Sequence, residues 1–257
     1  MIDQHACPAV SISGADGIGS VLMGSPTVWI NAQMACRMGD IVVEKPGLAL
    51  GPMNPIIMGC PTVLIGGPSA SISMAGGVMT VTCGGVTITG SPADVAAFVQ
   101  MLANAAMSTN AGGLAIVNAF RDTAHPITMD VGRSQPNVIV DNFATNQVDL
   151  NDLDALPPSP RAAHPNETAQ DEMIVHFIEE RHSAAASGNP DFGPAHQDGI
   201  NAQNAMRSER GQPAVTDQVF AGTDPAGNTI GRTNYADGTH QDAHIDSNGD
   251  IVSVDPP

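Results

Sequence analysis

The chain has 257 residues, 42% of them hydrophobic, enough for a sizeable core in one or two domains. Its formal net charge is −17 with a single lysine, Lys45, a balance that repels phosphate backbones and disfavours a general nucleic-acid binder. No apolar run reaches the roughly 18–20 residues of a membrane span and no charged-then-apolar leader opens the chain, so neither a span nor a secretory signal is expected.

Composition changes near residue 90. The first segment holds more than half of the glycines and a single aromatic, Trp29. Its charges are Arg37 and Lys45 against Asp3, Asp16, Asp40 and Glu44, so most of the acidity belongs to the remainder. Cys7, Cys36, Cys60 and Cys83 all lie in this segment, spaced too widely for a small disulfide-stapled module. Buried thiols and metal ligation are the two readings left.

The first segment repeats itself. Residues 21–32 read VLMGSPTVWINA and residues 56–67 read IIMGCPTVLIGG, an offset of 35. A shorter copy follows in Gly84-Gly85-Val86-Thr87-Ile88-Thr89-Gly90. Each unit sets a short β-branched strand (Thr27–Ile30, Thr62–Ile65, Val86–Thr89) between Gly and Pro turns, a pattern of hairpins rather than helices. Strands this short bury a face only by stacking, so residues 1–90 are expected to form a compact all-β unit.

The strings GSPTVWINAQMACRMGD, GCPTVLIGGPSA and CGGVTITGSP, with the opening Asp3-Gln4-His5-Ala6-Cys7-Pro8, resemble PAAR-repeat proteins over residues 3 to about 92. The resemblance implies a small cone of β-hairpins whose base docks on the trimeric spike protein (VgrG) of a type VI secretion system and whose tip binds zinc. Residue by residue it implies His5, Cys7 and Cys83 as ligands. The sequence departs from the pattern elsewhere. The Pro-Ala-Ala-Arg stretch appears as Met34-Ala35-Cys36-Arg37, and Gly39-Asp40 is followed by no Cys or His. A metal-free tip with buried thiols is therefore the other reading. Trp29, Met23 and Met34 are either docking contacts or core.

Residues 92–108 predict a helix, with Ser91 as N-cap, Pro92 in the first turn, and Val95, Phe98, Val99, Leu102 and Ala106 on one face. A second apolar stretch, Leu114–Phe120, follows Gly112-Gly113. The expected division is a spike-tip domain over 1–92, a helical connector over 93–132 and an effector domain over 133–257. Residues 133–170 read as turn-rich linker with one strand at Val138-Ile139-Val140.

The segment TAQDEMIVHFIEERHSAAAS (168–187) carries the most chemistry. Thr168 and Asp171 give a weak capping-box signal for a helix. His176 and Glu180 stand at i, i+4, and Glu179 and His182 at i, i+3. A second helix is expected over Asp198–Arg210, stopping at Gly211-Gln212-Pro213. The pair resembles, weakly, zinc-peptidase toxin domains, which carry H-E-x-x-H on one helix and N-x-x-R-x-E-x-G-x-P after it. Asn204, Arg207, Glu209, Gly211 and Pro213 match the second element. The first is broken: aligned on His182, Glu179 takes the place of the general base but Ile178 that of a metal-binding histidine. The resemblance implies Glu179, His182 and His176 as catalytic residues, with a second zinc, and His164, His196, His240 or His244 to complete the site. Ordinary helix histidines are the other reading.

A β-meander closes the chain over Asn228–Tyr235, Asp242–Ile245 and Ile251–Val254, with Asp237-Gly238 and Asn248-Gly249 at its turns. His240 and His244 share a strand face, and Asp246–Asp250 resembles a truncated calcium loop without its closing Glu. The expected fold class is an N-terminal all-β cone of short hairpins followed by a C-terminal α+β domain with two or more helices and a terminal β-meander. The expected function is a type VI spike tip that docks on VgrG and delivers a fused toxin, a metal-dependent, metallopeptidase-like hydrolase, from the producer's cytoplasm into a target cell. An immunity protein and a chaperone are the further partners expected. A non-enzymatic cargo adaptor and a purely structural tip are the alternatives.

Overall fold

A computed structural model describes residues 71–257 and, before them, the backbone of seven short strands. These are β1 (Gln4–Ala6), β2 (Val10–Ser11), β3 (Gly14–Ala15), β4 (Ile18–Val21), β5 (Trp29–Ile30), β6 (Gln33–Met34) and β7 (Val42–Glu44). All their pairings are antiparallel: β1–β4–β7 in one sheet, with β2–β3 and β5–β6 as two-residue ladders. The start of the chain is thus built of short strands, as the Gly/Pro punctuation predicts. The expected strand Thr62–Ile65 lies outside the described residues.

β8 (Ser71–Ala75), β9 (Val78–Cys83) and β10 (Val86–Gly90) form an antiparallel meander, in which the third repeat copy supplies the Gly84-Gly85 turn and β10. Alternation along β9 and β10 buries Met79, Val81 and Cys83 with Val86 and Ile88. Helices α1 (Pro92–Ser108) and α2 (Asn110–Arg121) then carry the chain to β11 (Ile127–Gly132), which pairs parallel with β10. β12 (Asp141–Asn142) and β13 (Gln147–Asp149) complete six strands in the order β12-β13-β11-β10-β9-β8. The sheet therefore runs across the expected boundary at residue 92, and the expected helical connector ends in a strand. A parallel partner for β10 needs a crossover of helical length, which α1 and α2 supply.

Ser91 caps α1 as expected, its Oγ accepting from Asp94 N–H at 3.2 Å, and the predicted apolar stripe faces the core. Each fully buried large apolar side chain in it, Phe98 among them, contributes about 1.5–3 kcal/mol. Gly112-Gly113 lies inside α2 rather than before it, because Thr109 and Glu209 cap the helix earlier: Thr109 Oγ1 accepts from Gly112 N–H, and the Glu209 carboxylate from Asn110 and Ala111 N–H. The far end of α2 rests on the Gly84-Gly85 turn. Gly84 has φ +57°, and a Cβ there would sit 1.9 Å from the Phe120 carbonyl oxygen.

Val138–Val140 does not form the expected strand: Asn137 and Val140 both hold positive φ, which interrupts extended backbone. The chain continues through α3 (Leu150–Ala155), α4 (Gln170–Ser187) and α5 (Phe192–Glu209), the last starting six residues before the predicted start. Thr168 does not cap α4. Its N–H donates to Gln241 Oε1 and its hydroxyl meets the Tyr235 hydroxyl at 2.9 Å, tying the helix start to the terminal sheet. That sheet is antiparallel: β14 (Val215–Thr223), β15 (Thr229–Tyr235), β16 (His240–Ile245) and β17 (Ile251–Asp255), so the predicted meander gains a first strand. The second part of the chain is α+β. Among the described residues no helix is long and apolar enough to cross a membrane.

Candidate metal centre

α4 is buried on nearly every side, packed against α1, α2 and α5. One side is apolar: Ile174, Phe177 and Ile178 join the core below the six-stranded sheet. The other side carries Asp171, Glu172, His176 and Glu180, all buried, and burial of such groups demands partners. Glu172 Oε2 accepts from Arg207 Nη1 at 2.9 Å and Oε1 from Arg210 Nη1 at 2.8 Å.

The residues matching the second zinc-peptidase element serve as scaffold here. Asn204 pairs with both backbone groups of Val215, like one rung of a ladder. Arg207 donates to Pro213 O, Glu167 O and Asn166 O and stacks 4.5 Å above the Tyr235 ring. Glu209 caps α2, and Gly211, at φ +68°, ends α5.

The opposite reach of this polar side holds three donors. His176 Nε2 lies 3.1 Å from His196 Nδ1, and His196 Nδ1 lies 3.6 Å from Glu180 Oε1. His176 and Glu180 are i, i+4 on α4, about 40° apart around the helix, while His196 comes from the first turns of α5. α5 can approach because Gly199 faces the imidazole: a Cβ there would lie 2.7 Å from His176 Cδ2. The Phe192 ring stacks on His196 at 4.8 Å between centroids and fixes its plane.

The His176 tautomer follows from a chain of contacts. Gln203 Nε2 donates to Glu172 Oε2, which orients the amide so that Gln203 Oε1 accepts from His176 Nδ1–H at 3.4 Å. The Nε2 lone pair then points at His196. Burial, reinforced by His196, pushes the His176 pKa down to about 3, so the ring is neutral, the form that binds metals.

The donor set fits a divalent cation. Two imidazole nitrogens and a carboxylate oxygen, all within 4.8 Å of one another, match the His₂Glu ligation of catalytic zinc, whose ligand atoms stand about 3.3 Å apart for bonds of about 2.0–2.1 Å. Glu180 Oε1 is buried and accepts no hydrogen bond within the protein. Charge points the same way. Arg181 lies 4.0 Å from Glu180 Oε2 and 2.9 Å from Asp141 Oδ2, so one guanidinium faces two carboxylates. Two of the donors, His176 and His196, line a cleft of about 450 Å³ that runs between α4, α5 and the terminal sheet, walled by Phe143, Phe192 and Phe220.

The predicted catalytic residues are divided by the helix. His176 belongs to this cluster. His182, six residues on, is rotated by about 120° and faces α2, with Nε2 3.2 Å from Asp122 Oδ2. Glu179 accompanies it, 3.9 Å from His182 Nδ1, and His125 closes on Asp122 at 2.8 Å. His244 is held between Asp224 and Asp255 on the terminal sheet, away from His176. Asp246 accepts from the backbone N–H groups of Asn248, Gly249 and Asp250, a turn rather than a calcium loop.

Of the expected tip ligands, Cys83 is buried in the apolar core at the end of β9 and belongs to neither of the two metal-compatible clusters among the described residues. The backbone of His5 pairs with Gly19 in β1–β4, and its side chain and Cys7 lie outside the described residues. Glu180 and His196 are the members that sequence reasoning noted without assigning. Their signals were the i, i+4 spacing to His176 and the need for a further histidine. Gln203 left no signal. No family model, curated protein or solved structure matches this chain.

Proposed function

We propose that this chain is the tip of a type VI secretion spike, docking on VgrG through its PAAR-like first segment and carrying a C-terminal effector that is a metal-dependent hydrolase. The observation that carries the hydrolase reading is the trio of buried His176 and Glu180 with half-buried His196, whose two histidines line an apolar-walled cleft. Three protein ligands with a position left open is the arrangement of catalytic rather than structural zinc. Bound there, zinc supplies Lewis acidity and a more acidic water. The tip reading rests on the repeated strings of residues 3–92 and on the short paired strands found there. A tip zinc enters the proposal through His5 and Cys7.

Metal analysis of the purified full chain tests both sites. One equivalent of zinc should leave with H176A or H196A, and a separate one with H5A or C7S. Directed to cytoplasm or periplasm, the full chain should arrest bacterial growth in one compartment, with H196A harmless. It should also co-purify with the VgrG trimer through residues 1–92. A chain that binds VgrG yet holds no metal at His176 and His196 and harms neither compartment overturns the hydrolase and supports a cargo adaptor.

A further inference from the structure

Hydrolysis at such a centre needs a group that takes a proton from water as the water oxygen bonds to carbon. α4 offers none. Phe177, which follows His176, is buried in the core, Glu179 faces α2 with His182, and Glu180 belongs to the donor trio. We propose that Asp141 is the proton acceptor of the hydrolase, a carboxylate brought to the cleft from the edge strand β12 instead of from the metal-binding helix. This rests on the metal-dependent hydrolase reading above.

Asp141 lines the same cleft as His176 and His196. It stands outside the group of donors that lie within 4.8 Å of one another, beside the ligand set and not in it. Its Oδ2 is buried and makes no hydrogen bond. The Arg181 guanidinium lies 2.9 Å away but out of hydrogen-bonding alignment. The chain enters Asp141 through Val140 at φ +60°, a conformation β-branched residues rarely adopt. Val140 N–H donates to Asp152 Oδ2 at 2.8 Å, and that buried carboxylate also accepts from Ile251 N–H at 2.6 Å. Backbone strain held by tertiary contacts is a mark of functional positions.

The groups facing Asp141 are Arg181 and Glu180 from α4 and His196 from α5. Burial raises its pKa against the pull of Arg181. The step balances as follows. Water bonds to the electrophilic carbon of an amide or ester and its proton passes to Asp141. The carboxylic acid then returns that proton to the departing nitrogen or oxygen as its bond to carbon breaks.

The test uses the full chain loaded with Zn²⁺ or with Co²⁺. D141N should keep metal at His176, Glu180 and His196 with affinity changed by less than about tenfold, while growth arrest falls by about 10²–10⁴-fold. The visible spectrum of the Co²⁺ form should be the same in D141N as in wild type, since no ligand is lost. D141N that retains toxicity overturns the proposal, as does D141N that loses metal or changes the Co²⁺ spectrum while folded, since Asp141 would then be a ligand. If D141N fails to fold beside Arg181, the double variant D141N/R181Q removes both charges and carries the same expectations. Wild type that binds no Co²⁺ at this site overturns the metal centre itself, a different result from metal-loaded and toxic D141N.

Discussion

Gly199→Ala isolates the close approach that builds the centre. In a mid-helix position, alanine is normally favoured over glycine by about 1 kcal/mol. At 199 the added Cβ would lie 2.7 Å from His176 Cδ2, 2.8 Å from its Nε2 and 2.9 Å from its backbone oxygen. The ring could rotate away only by leaving Gln203 and His196, and the backbone oxygen cannot yield without moving α4. Overpacking of this kind costs about 1–3 kcal/mol and outweighs the propensity gain. G199A should therefore lose up to about 2 kcal/mol in urea unfolding, and its zinc affinity should fall by about 10–100-fold as His176 loses its orientation. Gly193 in the first turn of the same helix is the control, with nothing within 4 Å of its built Cβ. G193A should be neutral or gain up to about 1 kcal/mol with unchanged metal binding. The reasoning is refuted by a G199A protein as stable as G193A with wild-type zinc affinity in titration calorimetry.

The other predictions concern the scaffold. R207M leaves Glu172 without one of its two cations and three carbonyls without a donor. Denaturant unfolding should show a loss of about 3–5 kcal/mol, and a loss below about 1 kcal/mol would remove Arg207 from the support of His176. Glu179 at 3.9 Å, acting as a charge at that distance, and Asp122 at 3.2 Å raise the His182 pKa against partial burial. Its contribution is thus full below the unfolded value near 6.5 and lost as pH rises through the raised one. Asp122, lowered to about 2 first by His125, contributes above its unfolded value and loses that as pH falls toward 2. Urea midpoints of wild type should decline between pH 6 and 9, with a flatter profile for H182Q; parallel profiles would disprove the clamp. A fragment of residues 71–257 should unfold cooperatively. One starting at 93 should not, because it lacks β10 from the middle of the sheet along with β8 and β9. A soluble, cooperative 93–257 fragment would contradict that.

Elements whose cause is local were legible. Ser91-Pro92 and the stripe from Val95 to Leu102 define α1 from within a few turns. Gly188 at φ +65° stops α4 where its pattern runs out. The Asp-Gly and Asn-Gly pairs place two hairpins of the terminal sheet. β14 was missed because its residues are mostly exposed and do not alternate, so its pairing with β15 comes from the partner strand and from the Asn204 rung on Val215. The strand expected at Val138–Val140 had the right residue types but positive φ at Val140, held by the Asp152 carboxylate, and at Asn137 just before it.

The site divides along the same line. Sequence alone determined that one helix carries His176, Glu179, Glu180 and His182, and spacing alone determined that His176 and Glu180 share a face. Which carboxylate joins the histidine was decided by the neighbours of α4. Helix α2 brings Asp122 to the face of Glu179 and His182, and α5 brings His196 to that of Glu180, with Gly199 letting it close. A helix offers every face equally to its own sequence; burial against other elements breaks that symmetry, and those elements lie far along the chain.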